Sequence, residues 1–329
     1  MEWILAGECM NGTTRPRLLI GCDLLPPVIA TLEKAFQIDG VAENLQAALN
    51  VGVRPEALLL SVDSRLDRHF VDQLPNSVQV VATYSVGTDH LDLQALAERR
   101  IRVLNTPDVL SNAVAEAAVF LTLGLARRAQ ESIDLVRSGA WQGWNPSQLV
   151  GFELRGRTAG IIGMGRIGRE IARILGALGM RIAYHNTRPL PAGAVAGDIT
   201  YHPKLSDLLG ASDVVILACP ATPETIGMIN RVTLAQMRRG AVLVNSARGT
   251  LVEDDALIEA LESGHLGGAA LDVFRNEPKF DPRYLGRPNV LMTPHIGSST
   301  IEARISMAEI LRDGMLAHFA GQVPANLVV

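Results

Sequence analysis

The sequence is short of lysine, of aromatic residues and of cysteine, and each shortage excludes something. Only three of the 30 basic residues are lysines (Lys34, Lys204, Lys279), the arginines are scattered, and the formal net charge is −4. That leaves no basic footprint for a nucleic acid. There are three cysteines, Cys9, Cys22 and Cys219. An odd number without C-x-x-C spacing argues for free thiols in a reducing compartment rather than a disulfide frame or a zinc site. Long apolar runs are also missing: no stretch approaches the roughly 20 uninterrupted apolar residues of a membrane span. Residues 1–6 are briefly apolar but include Glu2 and lack a basic start, so they do not read as a signal peptide. The expected location is cytoplasmic. With aromatics at 4% and apolar residues at 48%, Ala, Val, Leu and Ile must build the core. That suits helices packed on parallel strands buried on both faces.

What is present is an alternation. At 329 residues, two domains are the natural expectation. Aliphatic runs at 17–21 (RLLIG), 57–61, 78–85 and 102–106 read as buried strands, with amphipathic stretches such as 28–36 and 91–99 between them. From Ser111 to about Ser138 the pattern becomes one long Ala/Leu/Val-rich helix, capped by Ser111 or Asn112 and ended by Gly139. A loop containing Trp141 and Trp144 follows. A second alternating set has strands at 158–162, 181–186, 213–219, 241–246, 268–273 and 290–293, and a final helix from Thr300 to about Ala320. The expected fold is α/β with two doubly wound, Rossmann-like parallel-sheet domains, the second set matching a dinucleotide-binding fold.

Gly163-Met164-Gly165-Arg166-Ile167-Gly168 is a G-x-G-x-x-G that follows the strand TAGII and opens a helix. That context gives the pattern its force. Gly163 permits a tight turn, Gly165 lets backbone approach a pyrophosphate, and Gly168 lets the helix pack close on the strand. An NAD site wants an acid at the end of the next strand, but none occurs between Glu170 and Asp198. Asn186 and Thr187 can instead donate hydrogen bonds to a 2′-phosphate, and Arg188 supplies charge. NADPH is therefore expected over NADH.

Three later segments carry chemistry, each just past a different strand and so on the sheet edge where such folds bind ligands. Arg248 offers a bidentate fork for a carboxylate and can polarise a ketone. His295 can donate a proton as negative charge grows on the ketone oxygen. Glu277 beside the imidazole would keep it protonated and fix its tautomer. Together they suit reduction of a 2-oxo acid, with no metal required.

The sequence here resembles the D-isomer-specific 2-hydroxyacid dehydrogenase family over nearly its whole length. The resembling segments are SVGTDHLD (85–92), NTPDVLSNAVAE (105–116), GIIGMGRIGREIA (160–172), CPATPET (219–225), NSARGTLVEDDAL (245–257), ALDVFRNEP (270–278) and PHIGSST (294–300). Asn112 departs from a position more often acidic, and residues 1–16 have no counterpart. The resemblance implies a discontinuous, flavodoxin-like substrate domain (1–107 plus 296–329) and an inserted NAD(P)-binding domain (108–295). The helix and loop at 111–150 in that insert would embrace a second subunit, giving a homodimer. It further implies that Arg248, Glu277 and His295 are catalytic and that the N–H groups of Val86 and Gly87 bind the substrate carboxylate. Asp272 would anchor the nicotinamide carboxamide, and Arg166, Ile167, Cys219, Pro220, Thr225, Ala247 and Gly297 would line the cofactor. The WQGW and HNTR segments are similar to bacterial glyoxylate/hydroxypyruvate reductases, which makes Trp141 a substrate-shaping candidate. The implied activity is reduction of glyoxylate or hydroxypyruvate to a D-2-hydroxy acid. D-lactate and 3-phosphoglycerate dehydrogenases are the alternatives, the latter disfavoured because the chain ends soon after the last helix. Formate dehydrogenase has Gln where this chain has Glu277. A dinucleotide-sensing corepressor built on the same fold is the reading from a different class, opposed by the lack of a tail beyond Val329 and by the NADP-type turn.

Overall fold

The computed structural model describes residues 15–42, 45, 49, 52–191, 193–195 and 197–329. Cys9, residues 1–6 and most of the unmatched residues 1–16 lie outside them. The chain divides into two compact units, one of the described residues up to Val109 with Ile301–Val329, the other Leu110–Thr300.

The first unit holds a five-stranded parallel sheet of β1 (Arg17–Ile20), β2 (Gln37–Val41), β3 (Ala57–Leu60), β4 (Val80–Thr83) and β5 (Arg102–Leu104), in the order β2-β1-β3-β4-β5. This is the flavodoxin-like order. Its inner strands are buried aliphatic runs because helices cover both faces. Leu19, Leu58, Leu60, Val81 and Val103 pack on one face with Val71 and Leu96 of α2 (Arg68–Asp72) and α3 (Leu93–Glu98). Across the sheet, α1 (Pro26–Glu33) packs on the helix that closes the chain, Ile301–Phe319. The edge strand β2 was not among the expected strands. Its sequence QIDGV is nowhere fully buried, so it carries no aliphatic run.

The second unit holds seven parallel strands: β6 (Thr158–Ile162), β7 (Arg181–His185), β8 (Ile199–Tyr201), β9 (Val214–Leu217), β10 (Val242–Asn245), β11 (Gly268–Leu271) and β12 (Val290–Met292). Their order is β12-β11-β10-β9-β6-β7-β8, the dinucleotide-binding order with one strand added. Side chains alternate strictly. Val215 and Leu217 join one core cluster and Val214 and Ile216 the other, so the inner strands feed both faces. The switch in winding direction falls between β6 and β9, where such sheets open a crevice for ligand. Here too an edge strand, the three-residue β8, was missed.

The single helix expected from Ser111 to Ser138 is two helices, α4 (Ser111–Ala126) and α5 (Ala129–Arg137). Arg128 between them is left-handed, with φ +52°. The cause is tertiary: the Ala126 carbonyl accepts Phe152 N–H at 2.9 Å instead of continuing the helix. Gly151 sits so close that a Cβ there would lie 2.0 Å from the Ala126 oxygen. Nor do Ser111 or Asn112 cap α4: the N-cap is Leu110, with no side-chain bond, and Asn112 bonds Glu116.

Among the described residues no helix is long and apolar enough to cross a membrane. Cys22 and Cys219 are free thiols.

Candidate active site

The strand β6 runs straight into Gly163, whose φ of +98° only glycine adopts readily. A Cβ there would lie 2.6 Å from the Cys219 nitrogen, and one on Gly168 would lie 2.1 Å from the Gly163 oxygen. Gly165 is the opposite case: a Cβ would meet nothing within 4 Å. This open space adjoins the first turn of α6 (Arg166–Ala177), whose N-cap is Gly165 and has no side-chain cap. Arg166 and Ile167 open that turn, and its N–H groups are left for an anion. The cradle fits the pyrophosphate of a dinucleotide.

At the end of β7 the Asn186 side-chain oxygen accepts Met164 N–H at 2.7 Å, tying the two turns together. A backbone N–H can only donate, so the amide orientation is determined and Nδ2 keeps its two donors. Thr187 and Arg188 beside it are exposed. The turn after β9 carries Cys219, Pro220 and Thr225. Thr225 Oγ1 donates to the Pro220 carbonyl at 2.7 Å and accepts Thr222 N–H. Burial pushes the Cys219 thiol up to about 11, so this cysteine is not a nucleophile at neutral pH.

Three neighbouring strands, β10, β11 and β12, then deliver the proposed reacting groups. Asn245, 1% exposed at the tip of β10, takes Ala247 N–H on its oxygen (3.1 Å) and gives Nδ2–H to the Arg248 carbonyl (2.9 Å). It braces the turn that carries Arg248, whose Nη1 lies on the Ala247 carbonyl at 2.8 Å. The next arginine, Arg275, is used structurally, holding the carbonyls of Thr250 and Val252. Gly249 locks the Arg248 turn to the following one: a Cβ there would lie 1.9 Å from the Phe274 carbonyl carbon.

Asp272, just past β11 and 1% exposed, accepts three hydrogen bonds. Oδ1 takes the Thr293 hydroxyl (2.7 Å) and Ile296 N–H (2.8 Å), and Oδ2 takes Gly297 N–H (2.8 Å). Its carbonyl accepts His295 N–H at 2.8 Å. This scaffold holds His295 at φ +52°, a left-handed conformation that a non-glycine residue keeps only when its surroundings impose it. The imidazole Nδ1 meets Glu277 Oε2 at 2.8 Å, and Glu277 Oε1 accepts Phe274 N–H at 2.6 Å. Nδ1 therefore carries a proton toward the carboxylate, which leaves Nε2 as the ring nitrogen outside the pair.

The charges reinforce this arrangement. The hydrogen bond to Glu277 raises the His295 pKa; burial and Arg248 oppose the rise but do not cancel it. Burial pushes the Glu277 carboxyl up, yet the bonds from His295 and Phe274, with the nearby charges of His295 and Arg248, leave it below the ordinary range. The pair is therefore an imidazolium on a carboxylate over a wider pH range than free histidine allows.

In the first unit, exposed Val86 and half-buried Gly87 follow β4. Ser85 Oγ donates to the Gly87 carbonyl at 2.6 Å, which spends its only hydrogen. Thr83 must then donate to Ser85 (2.8 Å), and His90 Nε2 to Thr83 (3.0 Å). This one-way relay shapes the turn at 86–87. Trp141 is 54% exposed in the loop after α5 of the second unit.

Asn245 and the relay of Thr83, Ser85 and His90 were not singled out from sequence. Their signal was a polar residue ending, or facing into, a buried aliphatic strand.

Residues 119–297 match the family model described as the NAD binding domain of D-isomer specific 2-hydroxyacid dehydrogenases. A glyoxylate reductase of Pyrococcus furiosus is 43% identical over 278 residues, covering 83% of this chain and 82% of that one. A glycerate dehydrogenase of Hyphomicrobium methylovorum is 39% identical over 313 residues, 94% of this chain and 97% of that one. Among solved structures, the NADPH-dependent glyoxylate/hydroxypyruvate reductase of Sinorhizobium meliloti, in complex with NADP and malonate, superposes with a TM-score of 0.86. It is 35% identical, covering 96% of this chain and 97% of that one.

Proposed function

Since the chain belongs to the D-isomer specific 2-hydroxyacid dehydrogenase family, and is thus a nicotinamide-dinucleotide-dependent oxidoreductase of small 2-oxo and 2-hydroxy acids, we propose that it is an NADPH-dependent glyoxylate/hydroxypyruvate reductase. The observation that carries this reading is the pair of Glu277 and His295 set beside the Arg248 turn.

When bound, the reduced nicotinamide supplies a hydride to the 2-oxo carbon. Arg248 holds the substrate carboxylate in a bidentate fork and draws charge toward the 2-oxo oxygen. His295 Nε2 gives its proton to the oxygen as charge develops there. Glu277 stabilises the imidazolium before transfer and keeps the ring aimed. The second unit binds the cofactor through the cradle at 163–168, with Asn186, Thr187 and Arg188 around the adenosine 2′-position and Asp272 toward the carboxamide.

The preference for NADPH follows from the donors at 186–188, where an NAD site would carry a carboxylate. A panel of glyoxylate, hydroxypyruvate and pyruvate, assayed with each cofactor, tests both parts. We expect kcat/KM at least about tenfold higher with NADPH, consistent with one or two charge-assisted hydrogen bonds to a phosphate. Glyoxylate or hydroxypyruvate should be the better substrate. An NADH preference would remove the cofactor assignment, and turnover of pyruvate alone would remove the substrate assignment.

A second copy of the chain is the proposed partner. Phe120, Ile133, Val136, Trp141, Trp144 and Val150 expose large apolar surfaces on and after α4 and α5. Such a concentration marks an interaction face. Sedimentation velocity should show a dimer at micromolar concentration, and Val136→Glu with Trp144→Glu should shift it to monomer. A wild-type monomer would discard the assignment, and with it the role of Trp141 in shaping a neighbouring pocket.

A further inference from the structure

We propose that Tyr184 and Tyr201 are positioning residues for cofactor choice. They do not touch the cofactor; they hold the turn at 186–190 in the shape that gathers donors around a 2′-phosphate. The inference rests on the NADPH reading and deepens it.

The two tyrosines are register partners on β7 and β8, with ring centroids 5.2 Å apart. Their hydroxyls grip opposite ends of the turn. Tyr201 OH donates to the Asn186 carbonyl at 3.2 Å, and Tyr184 OH accepts Leu190 N–H at 2.9 Å. One rung further, His185 Nδ1 donates to the His202 carbonyl at 2.9 Å, which fastens the strand ends together. The third pin is Asn186 itself, through its bond from Met164 N–H.

The pins constrain what the turn can offer a ligand. With its oxygen committed to the glycine loop, Asn186 presents only N–H donors, and no described residue takes them. Thr187 and Arg188 stand exposed between the two gripped ends, and Arg188 has no ion pair among the described residues. A turn pinned at both ends orders these groups before a ligand arrives, so binding does not have to fix their conformations. A ribose diol is best held by a carboxylate here and finds none, whereas a phosphate can accept from all three. The edge strand β8, short and half exposed, thus acquires a purpose: it delivers Tyr201 to the turn.

The test removes the hydroxyls and keeps the rings. Tyr201→Phe, Tyr184→Phe and the double variant are titrated calorimetrically with 2′,5′-ADP and with 5′-AMP, and Kd for NADPH and NADH is read from nucleotide fluorescence. Each single variant should weaken 2′,5′-ADP and NADPH about 2- to 10-fold, the loss expected for one hydrogen bond. Binding of 5′-AMP and NADH should stay within about twofold, and kcat at saturating NADPH should hold. Equal weakening of both nucleotide types would reduce the tyrosines to structural residues and overturn the proposal, as would no change in either. If Tyr184→Phe fails to fold, the half-exposed Tyr201→Phe carries the test alone. A wild-type protein that binds 5′-AMP as tightly as 2′,5′-ADP would overturn the underlying NADPH reading, a failure visible before any variant is made.

Discussion

Replacing His295 by alanine is expected to lower kcat about 10²- to 10⁴-fold, the range for loss of a positioned general acid. The Kd for NADPH should barely change, because the nucleotide cradle is built from other residues. The pH dependence gives a sharper test. Reduction needs the imidazolium, so kcat/KM should be flat at low pH and fall as pH rises through the His295 pKa. That pKa is raised, chiefly by the bond to Glu277, so the fall should come on the alkaline side of an ordinary histidine. Oxidation of the 2-hydroxy acid needs neutral imidazole and should rise over the same interval. Glu277→Gln removes the raising carboxylate and should move the limb to lower pH. If His295→Ala keeps near-normal turnover, or the limb is indifferent to Glu277→Gln, His295 is not the proton donor.

Arg248→Lys should lower kcat/KM for glyoxylate about 10²- to 10⁴-fold, the cost of two charge-assisted bonds. Lysine keeps the charge but loses the planar fork that grips a carboxylate and polarises the adjacent carbonyl. Much of the loss should be in KM, with some in kcat because the carbonyl oxygen is less well stabilised. Arg248→Gln adds a test of opposite sign. The Arg248 charge lowers the His295 pKa, so its removal should move the alkaline limb upward, against the direction of Glu277→Gln. A lysine variant with wild-type KM and kcat would exclude Arg248 from the substrate. Arg275, only 27 positions further on, offers a control: its guanidinium is spent on the carbonyls of Thr250 and Val252, so its loss should show in stability first.

The inner strands were legible because burial on both faces demands aliphatic runs, and such runs stand out at 57–60, 158–162 and 214–217. The edge strands β2 and β8 escaped because one side of each is open, which admits Asp39, Gly40 and Thr200 and leaves no run to see. The break at Arg128 escaped for another reason. Arg127, Arg128, Gln130, Glu131 and Ser132 thin the Ala/Leu/Val pattern but are compatible with a continuing helix; the interruption comes from Phe152, 26 positions after Ala126, taking a carbonyl the helix would otherwise use. At the site, Arg248, Glu277 and His295 could be picked out as chemistry-bearing residues just past strand ends. The glycine loop could be read from its context. What could not be read is which strand-end polar groups turn inward: Asn245 looks like any polar residue at a strand end until the Ala247 N–H and Arg248 carbonyl that it satisfies are placed around it.

The contact between Gly249 and Phe274, backbone against backbone, has a consequence for anyone who would redesign this enzyme. The turn bearing Arg248 and the turn bearing Glu277 are keyed into each other with no side chain to yield between them. Exchanging either one alone with a relative of different loop length would jam the fit and misdirect both groups. Segments 245–250 and 272–278 therefore form a single transplantable cassette, and a chimera has to inherit them together.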